Sequence, residues 1–153
     1  MHKLYIGLGS NLGEKEQNIR NAIQLIKERI GEVIAESDFI STTPWGYESN
    51  NLFINAALCS DTKLTPMEVL TRMQSIETEM GRVRNQKGYE DRIIDLDILL
   101  YDDLIIQTQS LTIPHPLLHT RLFVLEPLAQ IAPDIIHPIL NKTIKELVEE
   151  IRS

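Results

Sequence analysis

Asp95 and Asp97 stand one residue apart in the stretch Ile93 to Tyr101, whose other members are apolar or aromatic. Side chains alternate across a β-strand, so both carboxylates share one face while Ile94, Leu96 and Ile98 take the other. Two carboxylates so close repel each other and lose hydration, penalties that a divalent cation removes. Sharing the cation with phosphate oxygens is the usual way proteins hold Mg²⁺. Alone, Asp-x-Asp reads as two solvated aspartates on an exposed sheet face. The residues before it change that reading. Arg82, Arg84, Lys87 and Arg92 stand against only Glu90 and Asp91 between positions 82 and 92, in a chain of net charge −7. Capping the preceding helix accounts for Arg82 and Arg84 at roughly 0.3–1 kcal/mol each. Guanidinium forks also match phosphate geometry and stabilise charge during phosphoryl transfer. The pattern predicts a magnesium–nucleotide site with an arginine-bearing loop that closes over polyphosphate.

Other groups could serve such a ligand. Gln74 and Glu77 lie one helical turn apart on the segment leading to the arginines; a solvated helix face is the ordinary alternative. Phe53 and Asn55 alternate onto one strand face near Trp45, and an aromatic wall with an amide suits a planar heterocycle. They would equally serve as a core aromatic and a backbone-bonded asparagine. His115, between Pro114 and Pro116, and Arg121 are either phosphate ligands or ordinary loop residues. The run Gly7-Leu8-Gly9-Ser10-Asn11-Leu12-Gly13 is neither a Walker A loop nor Gly-x-Gly-x-x-Gly. It reads as a tight strand-to-helix turn at which a flat ligand can approach backbone near Gly9.

These residues need elements to hold them. Lys3 to Leu8 reads as a strand, followed by a helix carrying Ile19, Ala22, Ile23, Ile26 and Ile30, with Asn11 and Glu14 as start signal and Gly31 as stop. Val33 to Thr42 and Phe53 to Ser60 read as strands around a loop rich in Pro, Gly and Asn. Thr65-Pro66-Met67-Glu68 opens a second helix, with Val69, Met73, Ile76 and Met80 buried and Gly81 at its end. Ile93 to Tyr101 is a strand, Asp102-Asp103 a turn and Leu104 to Gln107 its hairpin partner. Ile113 to Pro116 is rigid and extended, and helices around 123–131 and 144–151 follow. This βαββαβ order predicts a ferredoxin-like α+β sandwich, an antiparallel sheet with packed helices and C-terminal additions.

The 153 residues, 42% hydrophobic and 24% charged, fit one folded domain, 1–153, with no second catalytic domain. The net negative charge argues against nucleic acid as a partner. No stretch suits a signal peptide or membrane span. Cys59, the single cysteine, reads as a buried thiol, and a reducing cytoplasm is expected.

Taken in order, Gly9-Ser10-Asn11-Leu12, Thr42 to Gly46, Asn55, Gly81-Arg82-Val83-Arg84, Arg92-Ile93-Ile94-Asp95-Leu96-Asp97-Ile98 and Pro114-His115 give the chain a resemblance over essentially its whole length. It resembles the 6-hydroxymethyl-7,8-dihydropterin pyrophosphokinases of folate biosynthesis, which move the terminal pyrophosphate of ATP onto a pterin hydroxymethyl group. The resemblance implies two Mg²⁺ ions on Asp95 and Asp97, ATP as co-substrate, and Arg82 and Arg92 as arginines that assist transfer. It assigns ATP to Gln74, Glu77, Arg84, Tyr89, Ile98, Thr112, His115 and Arg121. It assigns the pterin to Thr42, Thr43, Trp45, Phe53, Asn55 and Phe123. Small-molecule substrates acting on a monomer are expected. Departures are Tyr89 for a frequent tryptophan, Gly88 for a basic residue, Glu90-Asp91 for Gly-Pro, and Ser110 for an arginine. The rivals are a non-catalytic nucleotide-sensing ferredoxin-like domain and a metal-dependent phosphohydrolase using the same carboxylates.

Overall fold

The computed structural model describes residues 1–42, 52–81 and 93–153. Its elements are β1 (His2–Ser10), α1 (Lys15–Arg29), β2 (Gly31–Glu36), β3 (Ile40–Thr42), β4 (Phe53–Thr62) and α2 (Pro66–Glu79), then β5 (Asp95–Tyr101), β6 (Ile106–Gln107), β7 (Thr112–Ile113), α3 (Leu122–Ile131) and α4 (Ile144–Arg152). The main sheet runs β2-β4-β1-β5, with β3 also on β4, and every pairing is antiparallel. β1 and β2 therefore run parallel and are linked through α1, as βαββαβ order requires of a ferredoxin-like sheet.

Period-two alternation sends the two faces of the sheet into separate cores. Leu4, Ile6, Leu8, Ala56, Leu58, Leu96 and Ile98 pack beneath α1 and α2 with Ile19, Ile26, Val69, Met73 and Ile76. Tyr5, Ala57, Cys59, Leu99 and Leu100 pack under the C-terminal helices with Leu125, Leu128, Leu147 and Val148. The C-terminal additions thus form a third layer over the face the two-helix sandwich leaves open. Helix α2 starts with the expected capping box of Thr65 and Glu68 and Pro66 in its first turn, and Gly81 turns away at φ +94°. A second box, Thr143 with Glu146, opens α4.

Four local expectations are corrected. The strand expected over Val33 to Thr42 is two strands: Ser37 Oγ accepts the Ala57 N–H at 2.8 Å and Asp38 N–H turns to Gln130 Oε1 at 2.7 Å, which interrupts the ladder. Asn11 does not start α1. The N-cap is Glu14, without a side-chain cap bond, because Gly13 bends the chain at φ +68° and Asn11 is buried. Gly31 opens β2 instead of ending α1 in a left-handed turn, and a Cβ there would lie 1.9 Å from the Asp61 carbonyl oxygen. Finally, β6 pairs with β7 and not with β5. β5 gives its Leu96 N–H to Glu77, and its Leu99 carbonyl accepts the His115 N–H.

Candidate active site

Register places the chemistry. On β1, Gly9 stands opposite Asn55 of β4 and opposite Asp95 of β5. One step along, Gly7 stands between Ala57 and Asp97. Directly opposed residues direct their side chains to the same face, so Phe53 and Asn55 lie on one side of a glycine strip and Asp95 and Asp97 on the other. This is the face that α3 and α4 cover farther along, over Tyr5, Cys59 and Leu99.

The strip exists because its neighbours lean over it. A Cβ on Gly9 would come 3.0 Å from Asn55 Oδ1 and 3.5 Å from Phe53 Cδ1, and one on Gly7 would come 3.3 Å from Leu99 Cδ2. Asn55 is 8% exposed, and its Nδ2 meets no acceptor among the described residues. An unmade buried hydrogen bond is costly, and a ligand acceptor over Gly9 would satisfy it. Ser10, one step on, turns to the other face, where its Oγ accepts from Asn18 Nδ2 of α1 at 3.3 Å. The same Nδ2 donates to the Leu12 carbonyl at 2.8 Å, and so the end of β1 is tied down beside the strip.

Asp97 keeps 37% of its side chain exposed, and its Oδ1 lies 3.8 Å from His115 Nε2. His115 Nδ1 accepts the Leu117 N–H at 3.1 Å, which leaves the proton of the neutral ring on Nε2. Burial, with help from the Arg121 charge and against the pull of Asp95, lowers the His115 pKa to about 4. The His115–Asp97 contact is therefore not an ion pair at neutral pH. His115 offers an uncharged N–H donor beside the carboxylates. Arg121 sits at the N-terminal edge of α3, with its guanidinium carbon 5.8 Å from the Phe123 ring centroid, a cation–π arrangement. Asp95, Asp97, His115, Arg121 and Phe123 thus gather from β5, the segment after β7 and α3.

Other expected residues fall elsewhere. Ile98 is 5% exposed within the core under α1 and α2, on the face opposite Asp97, so only its main chain could meet a ligand. Gln74 is exposed on α2, whereas Glu77 is 6% exposed and its Oε2 accepts the Leu96 N–H at 2.9 Å. Thr112 pairs with Gln107, and Thr42 ends β3 opposite Phe53. Thr43, Trp45, Arg82, Arg84, Tyr89 and Arg92 lie outside the described residues. Gly7 is the part of the site that the residue types alone did not single out. The shared period of Gly7-x-Gly9, Phe53-x-Asn55 and Asp95-x-Asp97 was the available signal.

Two carboxylates on one face, with no group of three or more candidate metal ligands among the described residues, suit an ion that takes its remaining oxygens from phosphate and water. Sheet order and site together define a ferredoxin-like α+β protein with a row of polar side chains across β4, β1 and β5. The 7,8-dihydro-6-hydroxymethylpterin-pyrophosphokinase (HPPK) family model matches residues 5–133. A 2-amino-4-hydroxy-6-hydroxymethyldihydropteridine pyrophosphokinase of Aquifex aeolicus is 40% identical, covering 98% of this chain and 92% of its own. One of the same name from Methylorubrum extorquens is 38% identical over 99% and 94%. A solved Plasmodium falciparum HPPK-DHPS structure superposes with a TM-score of 0.81 at 18% identity, over 97% of this chain but 43% of that one, a likeness of fold. The chain belongs to the HPPK family.

Proposed function

We infer that the chain transfers the terminal pyrophosphate of ATP to the hydroxymethyl group of 6-hydroxymethyl-7,8-dihydropterin, releasing AMP and the pterin diphosphate in folate biosynthesis. The observation that carries the site assignment is the register that sets Asn55 and Asp95 on either side of Gly9. A heterocycle held by the Asn55 amide, between the aromatic rings of Phe53 and Phe123, presents its hydroxymethyl group toward the aspartate side. Thr42, Thr43 and Trp45 would complete that pocket.

Asp95 and Asp97 would hold the Mg²⁺, two ions in our reading. Bound there, Mg²⁺ would neutralise phosphate charge and ease deprotonation of the attacking hydroxyl. That oxygen attacks the β-phosphorus of ATP, and the bond to the oxygen bridging the α- and β-phosphates breaks as AMP leaves. The uncharged His115 Nε2–H and the Arg121 guanidinium would bind phosphate, with Gln74, Arg84, Tyr89, Thr112 and the Ile98 main chain on the nucleotide. Glu77 supports that set through the strand it holds. Arg82 and Arg92 would stabilise the charge of the transferring group. Because His115 Nδ1 is spent on Leu117, His115 serves as a donor and not as a general base, and positioning must carry much of the rate.

Residues 1–153 act in this reading as one pyrophosphokinase domain, a monomer in a reducing cytoplasm with no nucleic-acid partner. The buried Cys59, whose thiol is pushed up in pKa by burial, and the net charge of −7 support this. Among the described residues no helix is long and apolar enough to cross a membrane. AMP release that requires both hydroxymethyldihydropterin and Mg²⁺ tests the function, and Asp97→Ala should abolish it with the fold intact. ATP consumption without pterin would instead indicate the hydrolase, and binding without turnover the sensor.

A further inference from the structure

Among the described residues β5 is an edge strand: β1 pairs with it on one side, and no other strand joins the other. Bonding alternates along an antiparallel ladder, so a residue whose N–H leaves the ladder lies between two whose main chains face the partner strand. Leu96 is that residue, between Asp95 and Asp97, and its N–H is met by the buried Glu77 Oε2 at 2.9 Å. Its side chain is anchored as well, 7% exposed in the core beneath α1 and α2. Glu77 belongs to that same layer, since α2 covers the face opposite the one to which the aspartates point. A buried carboxylate bonded there is well placed to fix the strand that carries the two aspartates. Closer to the start of β5 the two elements meet again: a Cβ on Gly81 would lie 3.6 Å from Ile93 Cδ1.

We propose that Glu77 is a positioning residue for metal binding. By accepting the Leu96 N–H it holds the backbone between Asp95 and Asp97, and so sets the spacing and aim of the two carboxylates. The proposal rests on the reading of those aspartates as the metal-holding pair. What matters in it is an acceptor oxygen at the right distance, not the charge of the side chain. Glu77→Gln keeps an oxygen of the same reach, whereas Glu77→Asp keeps the charge but withdraws it by one methylene. The two variants therefore separate geometry from electrostatics.

The test uses the full chain with Glu77→Gln, Glu77→Asp, Glu77→Ala and Asp97→Asn. Amide hydrogen exchange without metal should show Leu96 protected in the parent and in Glu77→Gln, and exchanging at least about tenfold faster in Glu77→Asp and Glu77→Ala. Mn²⁺ titration in the presence of ATP, followed by electron paramagnetic resonance, should weaken about tenfold in Glu77→Asp and Glu77→Ala and stay near the parent value in Glu77→Gln. The half-saturating Mg²⁺ for turnover should move in parallel, while the ATP KM at saturating Mg²⁺ stays within about twofold. The proposal is overturned if Glu77→Gln is as impaired as Glu77→Ala, or if Leu96 is unprotected in the parent. A rise in ATP KM with an unchanged Mg²⁺ requirement would overturn it too, by making Glu77 a nucleotide contact. Should Glu77→Ala not fold, the contrast between Glu77→Gln and Glu77→Asp decides. Asp97→Asn with an unaltered metal requirement would bring down the metal reading itself. Loss of metal in Asp97→Asn but not in Glu77→Asp would bring down the proposal alone.

Discussion

Between Asn55 and Asp95 the sheet is open because position 9 has no side chain. The methyl of Gly9→Ala would meet Asn55 Oδ1 at 3.0 Å and the Phe53 ring at 3.5 Å, a distance at which the amide must give way. The pterin KM should rise about tenfold, or 1.4 kcal/mol, with the ATP KM little changed; steady-state kinetics in both substrates checks this. Asn55→Ala should cost about 1–3 kcal/mol of pterin binding. Its unfolding midpoint should hold, because the Nδ2 it removes bonds nothing among the described residues; calorimetry of binding and thermal melts read the two effects. The residue types of this site were legible in the sequence, since carboxylates, an amide and aromatic rings at period two state their chemistry directly. The buried carboxylate of Glu77 was not, because a glutamate one turn from Gln74 has the same spacing whether it faces water or a strand.

Gly31 shows how an element boundary misleads. A glycine after an amphipathic run is the usual mark of a left-handed helix stop, yet here the chain passes directly into β2 and the constraint is contact. With a Cβ placed 1.9 Å from a backbone oxygen that β4 holds in the ladder, Gly31→Ala should destabilise by about 3 kcal/mol. Urea unfolding would show this as a lower midpoint. The helices themselves were readable, because periodicity and the Thr65 capping box are local. The break at Ser37 and the pairing of β6 with β7 were not, since both depend on partners far along the chain: Ala57, Gln130 and Thr112.

At the scale of the whole molecule, the element order implied the sheet but not its second helical layer. The last two helices cover Tyr5, Cys59 and Leu99, and the chain between them is fixed by His137. The buried His137 ring accepts the N–H groups of Ile139 and Leu140 on Nδ1, each at 3.2 Å, and stands edge-on to His119 at 6.2 Å. Burial first, and then the His119 charge, lower its pKa below 6.5. As pH falls below about 6.5 the unfolded chain takes up a proton that the folded ring resists, so stability declines until the folded pKa is reached. The fall in melting temperature between pH 7 and pH 5 should therefore be smaller in His137→Asn, which keeps an acceptor oxygen near Nδ1 but does not titrate.

The place of β1 in the sheet has a consequence for how the protein is made. Leu4 pairs with both Ser60 and Tyr101, so the central strand leaves the ribosome well before either neighbour has been translated. Its Gly7 and Gly9 must wait for β4 to supply the amide side and for β5 to supply the carboxylates. Pairings so distant in sequence make for slow folding. A nascent chain halted before residue 95 would carry the amide side of the site without its carboxylates, with one flank of its middle strand open to any other unpaired strand.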